Sequence, residues 1–341
     1  MRYIGGKSLQ IDNINSVIKS ETVSVSSVID LFAGSGVVSQ NFKAQGYQTI
    51  SNDFLFFSYV LQRCMIALNK KPQFKKLGID DPIKFLNELE FGDSNISEDD
   101  CFIYNNYSPI GGCKRMYFQT DNALKIDLIR LTIQKWLDQG LVNEDEYYYL
   151  LAALINAVPY VANITGVYAA YLKYWDDRTF NPLKLEEPTI INNRKKNRCF
   201  NADYKEILAE KRDLLYADPP YNSREYLPNY HILETIARYD YPKISGITGL
   251  RKYDDQKSVF CKKSTVADAF KTLVRDCKCR YILISYNNEG LLSTGELSDI
   301  CMQYAVDNSF KLYEFDYRRY KNKIPNNKAG LKEQLYFLRR H

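Results

Sequence analysis

The 341-residue sequence predicts an α/β fold: an open, mainly parallel sheet with one antiparallel edge, interrupted by a long and mainly helical insertion. Three observations predict it. The first ~65 residues alternate helix-like and strand-like segments. The alternation resumes near Arg198, and between the two parts apolar residues recur at helical spacing.

Val28-Ile29-Asp30-Leu31-Phe32 reads as a buried strand, Ala33-Gly34-Ser35-Gly36 as a turn, and Val37 to Ala44 as a helix. A second strand, Gln48 to Ser51, ends in Asn52-Asp53, and the next helix runs through Leu55, Tyr59, Arg63 and Ile66. The pattern changes at Lys70-Lys71-Pro72. Beyond it, Ile126, Ile129 and Ile133 share one helix face, and Tyr147, Leu150, Leu151, Leu154 and Ile155 another, with a loop at Ser108-Pro109-Ile110-Gly111-Gly112 between them. An insertion of about 125 residues is far longer than an ordinary connection. Cys199-Phe200-Asn201 then reads as a short strand, Asp203 as a helix start, Asp213 to Ala217 as a strand, and Tyr226 to Tyr239 and Ala267 to Cys277 as helices. Tyr281 to Ser285 is a further buried strand, and Phe310 to Tyr317 with Gln334 to Leu338 a closing antiparallel hairpin. The domains expected are 1–70 with 197–341, and 71–196 inserted between them.

A hydrophobic content of 45% supports a sizeable core. No apolar run reaches about 18 residues, so no membrane span is expected, and the first residues lack a hydrophobic signal segment. An intact, cytoplasmic chain is the expectation. The eight cysteines are scattered, without a Cys-x-x-Cys, and His231 and His341 are the only histidines, so reduced thiols and no metal site are expected. Net charge is +5, too modest to identify a polyanionic partner by itself. Local basic runs are more informative: Arg194-Lys195-Lys196-Asn197-Arg198, Arg318-Arg319-Tyr320-Lys321-Asn322-Lys323, Arg251-Lys252-Tyr253 and Lys262-Lys263. Each reads either as a solvated face or as a set of phosphate contacts.

Two motifs carry chemistry. Asp218-Pro219-Pro220-Tyr221 follows the apolar run Leu214 to Ala217, at a strand end, where open α/β sheets place their ligands. Two prolines stiffen the backbone, so a carboxylate, fixed carbonyls and an aromatic ring are presented together. That set suits a planar base with an exocyclic amine: carboxylate and carbonyl accept the two amine protons, and the ring stacks. Taken alone, the stretch also reads as a proline-rich turn with a surface tyrosine. The second motif is the Gly34/Gly36 turn followed by Asp53, an acid roughly 20 residues on that is placed for ribose hydroxyls. The turn lacks the full dinucleotide spacing and a phosphate-loop Lys-Ser/Thr pair, which argues against NAD and ATP and for another adenosine-containing cofactor.

With Phe32-Ala33-Gly34-Ser35-Gly36, Asp218-Pro219-Pro220-Tyr221 and the N-terminal Arg2-Tyr3-Ile4-Gly5-Gly6-Lys7 in this order, the chain resembles the S-adenosylmethionine-dependent adenine-N6 DNA methyltransferases with Dam-like motif order. Tyr117-Phe118, Asn122-Ala123, Lys125-Ile126-Asp127, Ile129-Arg130, Trp136, Val161-Ala162-Asn163, Tyr171 to Trp175 and His231 to Asp240 further resemble the methyltransferases of FokI-type restriction–modification systems.

The resemblance implies a Rossmann-like class I methyltransferase sheet, S-adenosylmethionine as cofactor, double-stranded DNA as substrate with the target adenine flipped out, and pairing with a restriction endonuclease. The implied catalytic residues are Asp218, Pro219, Pro220 and Tyr221. The implied cofactor residues are Tyr3, Lys7, Asp30, Phe32, Gly34, Gly36, Asp53 and Asp203, with Asp218 at the methionine end. Lys7 reads either as a counterion for the methionine carboxylate or as a tether for the N-terminal segment. Asp203 reads either as a contact to the cofactor's adenine or as a helix N-cap. Arg194, Lys195, Lys196, Arg198, Arg318, Arg319 and Lys321 are the expected DNA contacts, and the insertion is expected to hold and read DNA or, alternatively, to cap the sheet. Rival readings are an RNA adenine-N6 methyltransferase and a non-catalytic DNA-binding partner subunit. The full set of Tyr3, Lys7, Asp53, Asp218 and Tyr221 argues against the latter.

Overall fold

The computed structural model describes residues 5–110, 112–316 and 330–340. Arg2, Tyr3, Ile4, Gly111, Tyr317, the basic run Arg318 to Lys323 and His341, all singled out above, lie outside the described residues. The chain divides into two compact units, one made mainly of Leu55–Asn192 and Tyr226–Asp255, the other of Gly6–Phe54, Asn193–Glu225 and Gln256–His341.

The second unit holds a seven-stranded sheet. Its strands are β1 (Ser27–Asp30), β2 (Gln48–Asn52), β3 (Arg198–Phe200), β4 (Leu214–Ala217), β5 (Tyr281–Asn287), β6 (Lys311–Asp316) and β7 (Lys332–Arg339), in the spatial order β3-β2-β1-β4-β5-β7-β6. All pairings from β3 to β5 are parallel, whereas β7 runs antiparallel to both β5 and β6. The expected parallel sheet with an antiparallel edge hairpin is therefore present. Strand order reverses between β1 and β4, and at such a switch point the loops after the two strands diverge and leave a crevice.

Side chains alternate between two apolar layers, as strand geometry requires. Ile29, Ile50, Leu215, Ile282, Ile284, Tyr336 and Leu338 pack with helices Val266–Asp276 and Thr294–Tyr304 on one face. Val28, Leu214, Tyr216, Leu283, Leu335 and Phe337 pack with helices Ile11–Glu21 and Val37–Ala44 on the other. A sheet covered on both faces explains why β1, β4 and β5 are buried along their whole length without alternation. Helix Thr294–Tyr304 was not expected from the sequence, although Ser293 and Glu296 form a capping box at its start.

The first unit is mainly helical. Helices Thr120–Asp138 and Glu144–Ala157 pack together, and Ile126, Ile129, Ile133, Leu150, Leu151 and Leu154, the apolar positions expected, are fully buried. The unit does not coincide with the 71–196 segment read from the sequence: it ends at Asn192 and also takes in residues from Leu55 to Lys70 and from Tyr226 to Asp255. Side chains explain this. Helix Phe56–Gln62 has no N-cap side chain of its own; instead the Glu234 carboxylate, from helix Leu227–Arg238, accepts the Phe56 and Phe57 amides at 3.1 and 2.9 Å. The Phe57 and Tyr230 rings pack at 5.4 Å beside it.

The eight cysteines are free thiols. Among the described residues no group of three or more His, Cys, Asp or Glu side chains could hold a metal ion, and no helix is long and apolar enough to cross a membrane.

Candidate active site

The carboxyl ends of β1, β2 and β4 bring the two sequence motifs into one unit. After β1, the Leu31 amide donates to the Tyr216 carbonyl on β4 at 2.9 Å, and the Ala33 amide to the Asn52 carbonyl on β2 at 2.9 Å. The intervening turn uses left-handed backbone at Gly34 (φ 51°) and Gly36 (φ 79°), a region costly for residues with a Cβ. Gly36 then caps helix Val37–Ala44, whose bounds match the expectation. The Gly34 amide donates to Asp53 Oδ2 at 2.8 Å. Asp53 is held in turn by its own amide to the Phe200 carbonyl at 3.2 Å and by Asn201 Nδ2 on its carbonyl at 2.8 Å. Asn52 ties the same loops through its side chain, with Nδ2 donating to the carbonyls of Leu31 and Ala202, both at 3.2 Å. Neither Asn52 nor Asn201 was singled out as a site residue.

Asp30, the last residue of β1, is buried and accepts Ser39 Oγ at 2.6 Å through Oδ2, while its Oδ1 has no hydrogen-bond partner. Burial pushes its carboxyl up to about 7; the Ser39 bond opposes this, and Asp218 and Asp53 add repulsion. Asp218 directly follows β4 and its side chain keeps 18% exposure, against 7% for Lys7 and 5% for Glu333. Burial raises its carboxyl to about 7 as well, with Lys7 pulling down and Glu333 pushing up. Lys7 Nζ lies 3.2 Å from Asp218 Oδ1 and also pairs with Glu333 Oε1. Burial works against the Lys7 charge, but the two carboxylates outweigh it and hold its pKa above the ordinary lysine range. Ser285 Oγ on β5 donates to the same Glu333 oxygen at 2.9 Å. Glu333 and Ser285 were missed by the sequence reading; the available signal was a lone acid at the head of the apolar strand Lys332–Arg339, since a buried charge needs a partner.

Pro219 and Pro220 are buried and Tyr221 is half-buried. The Tyr221 carbonyl is held by the Leu291 amide at 2.9 Å and the Tyr286 hydroxyl at 3.4 Å. Phe32, also half-buried, packs edge-on to Phe260 at 5.2 Å and near Tyr204 at 6.0 Å. Asp203 is exposed and caps the short helix Tyr204–Ile207, accepting the Lys205 amide at 3.0 Å within a capping box with Glu206.

The basic run before β3 stands elsewhere. Gln48 Nε2 donates to the Lys196 carbonyl at 2.8 Å, and Asn193 Nδ2 to the Tyr47 carbonyl at 2.7 Å. Arg194, Lys195 and Lys196 therefore lie at the amino ends of the parallel strands, opposite the end that carries Asp218. Arg198 is engaged within the fold, paired with Glu210 at 3.1 Å and stacked over the Phe200 ring. Tyr3, Arg318, Arg319 and Lys321 lie outside the described residues.

The acids Asp30 and Asp53 stand at the glycine turn, Asp30 at the end of β1 and Asp53 bonded to the Gly34 amide. The D12 class N6 adenine-specific DNA methyltransferase family matches residues 3–300. The chain is 44% identical over 345 residues to the Type II methyltransferase M.FokI of Planomicrobium okeanokoites, covering 100% of this chain and 53% of that protein. It is 40% identical over 345 residues to the modification methylase StsI of Streptococcus sanguinis (100% and 52%), and 36% identical over 325 residues to the Type II methyltransferase M.NlaIII of Neisseria lactamica (94% and 92%). The chain thus spans about half the length of the first two relatives and nearly all of the third.

Proposed function

The chain belongs to the D12 class of N6 adenine-specific DNA methyltransferases, and from that membership we propose that it methylates adenine N6 in duplex DNA at a specific site, as the modification enzyme of a restriction–modification system. The observation that carries the reading is Asp218, partly exposed at the switch point beside the Gly34–Asp53 turn, in a stretch that offers a carboxylate, fixed carbonyls and a ring together.

S-adenosylmethionine, the proposed cofactor, supplies when bound a methyl group already activated by a sulfonium. The residues present fit such a group. Asp53 is fixed by Gly34 for a ribose, the unpartnered Asp30 Oδ1 offers an acceptor, and Phe32 offers an aromatic surface. Target adenine has to leave the base stack first, which costs a few kcal/mol; stacking on Tyr221, worth about 1–3 kcal/mol per base, offsets part of it. Asp218 accepts one N6 proton in a hydrogen bond and the Pro219 carbonyl the other, which turns the nitrogen lone pair out of conjugation toward the methyl. Proton loss follows once the nitrogen carries the methyl and has become acidic, and Asp218 is placed to receive it. Alignment supplies most of the rate. The first unit, with its helical core, is assigned to holding and reading DNA.

The test is transfer of labelled methyl from S-adenosylmethionine to duplex DNA and, separately, to structured RNA, with nucleoside analysis of the product. N6-methyladenine in DNA that disappears in a folded Asp218→Ala variant supports the proposal. Label only in RNA, or near-normal turnover by Asp218→Ala, contradicts it.

A further inference from the structure

Lys7 has two carboxylates for one ammonium. It sits 3.2 Å from Asp218 Oδ1 and pairs with Glu333, and it is 7% exposed, so its charge is used inside the protein rather than held open for a ligand. Glu333 is as buried as Lys7, and its position is fixed: β7 pairs it with Asn287 on β5 and Phe315 on β6, and Ser285 donates to its Oε1. Glu333 also lies beyond residues 3–300, the part of the chain that matches the family.

We propose that Glu333 is a positioning residue for methyl transfer: it anchors the Lys7 ammonium against Asp218 Oδ1, so that Lys7 clamps the catalytic carboxylate and is not the counterion of the cofactor's methionine carboxylate. This rests on the proposed function. In the transfer the N6 lone pair forms the N–C bond, the C–S electron pair stays with sulfur, and the surplus N6 proton leaves through Asp218 to solvent. Positive charge moves to N6 as this happens. With Asp218 ionised, the Asp218–Lys7–Glu333 cluster carries one net negative charge facing that nitrogen. Without the Glu333 charge the cluster is neutral, and Asp218, held by Lys7 alone, is a weaker acceptor. Among the described residues, the other groups facing Asp218 are Tyr216, which keeps its proton well above the neutral range, and Asp30, whose repulsion remains in either case.

Three variants test this: Glu333→Gln, Glu333→Asp and Lys7→Met. In Glu333→Gln the single-turnover rate is expected to fall at least thirtyfold, with cofactor affinity and DNA KM within threefold of wild type, and Glu333→Asp is expected to restore most of the rate. Carboxyl 13C titration of the cofactor-free protein, with Asp218 assigned through Asp218→Asn, is expected to show the Asp218 midpoint moving down by roughly one pH unit in Glu333→Gln, because a like charge has been removed. Lys7→Met is expected to lose rate while keeping cofactor affinity by calorimetry. An unmoved Asp218 midpoint, or a Lys7→Met protein that loses cofactor affinity more than tenfold but keeps its rate at saturation, overturns the proposal. Wild-type protein that methylates no DNA defeats the functional reading instead, and the titration still decides the clamp.

Discussion

The Gly34 amide and Asp53 Oδ2 meet at 2.8 Å, which locks the turn after β1 to the acid after β2. One carboxylate oxygen is thereby spent on the protein and the group is oriented before any ligand arrives. Removing the carboxylate in Asp53→Ala loses both the orientation and a charge-assisted acceptor, a loss of about 1.5–3 kcal/mol. Cofactor affinity by calorimetry is expected to fall at least tenfold. In Gly34→Val a β-branched side chain meets a φ of 51°, and cofactor affinity is expected to fall more than thermal stability does. Equal loss of both counts against the turn as a cofactor cradle.

Asp30 and Asp218 both have carboxyls raised to about 7. Between the ordinary aspartate range and pH 7 the native state holds protons that the unfolded chain has released, so stability falls as pH rises through this window and levels off above it. Thermal melts of the cofactor-free protein are expected to show a higher Tm at pH 5.5 than at pH 8, a contrast that shrinks in Asp218→Asn. Activity runs the other way, since Asp218 accepts the amine proton only when ionised; the acid limb of the rate profile is expected at or below pH 7. A Tm that rises steadily from pH 5.5 to pH 8 contradicts the assignment of burial as the dominant cause.

Glu234 caps a helix that its own sequence leaves uncapped, taking the Phe56 and Phe57 amides and Arg238 at 2.6 Å. In Glu234→Ala two amides lose their acceptor inside the protein, at a cost of about 1–3 kcal/mol for each group left unsatisfied. A clear drop in Tm is expected, with Glu234→Gln intermediate because its amide oxygen still accepts. Equal melting of Glu234→Ala and wild type rules out the cap.

Gly290 lies against the Tyr286 ring, where an added Cβ would come within 2.1 Å of Cε1. The ring is packed edge-on to Phe270 at 5.3 Å, and its hydroxyl supports the Tyr221 carbonyl. Gly290→Ala is therefore expected to cost about 1–3 kcal/mol through overpacking and to slow transfer by displacing Tyr221. Wild-type Tm and rate together contradict the contact.

The glycine turn, the Asp218 motif and most strands were legible because each is a short apolar run ending in residues that only a turn tolerates. Glu333 was not, since its meaning depends on β7 lying next to β5, a pairing between segments far apart in sequence. The edge of the helical unit at Leu55 was hidden for the same reason: its cap, Glu234, comes from beyond the catalytic strand. Charge runs were visible as charge but not as position, so the stretch from Arg194 to Lys196 could not be assigned to an end of the sheet. Helix Thr294–Tyr304 had a readable signal in Ser293 and Glu296, but its buried Ser298 interrupts the apolar stripe.

The most direct measurement is long-read modification sequencing of unmodified duplex DNA after incubation with the protein and S-adenosylmethionine, beside the Asp218→Ala variant. N6-methyladenine confined to one short motif, and absent with the variant, is the predicted result. Unmodified DNA in both samples, from protein that binds the cofactor, contradicts it.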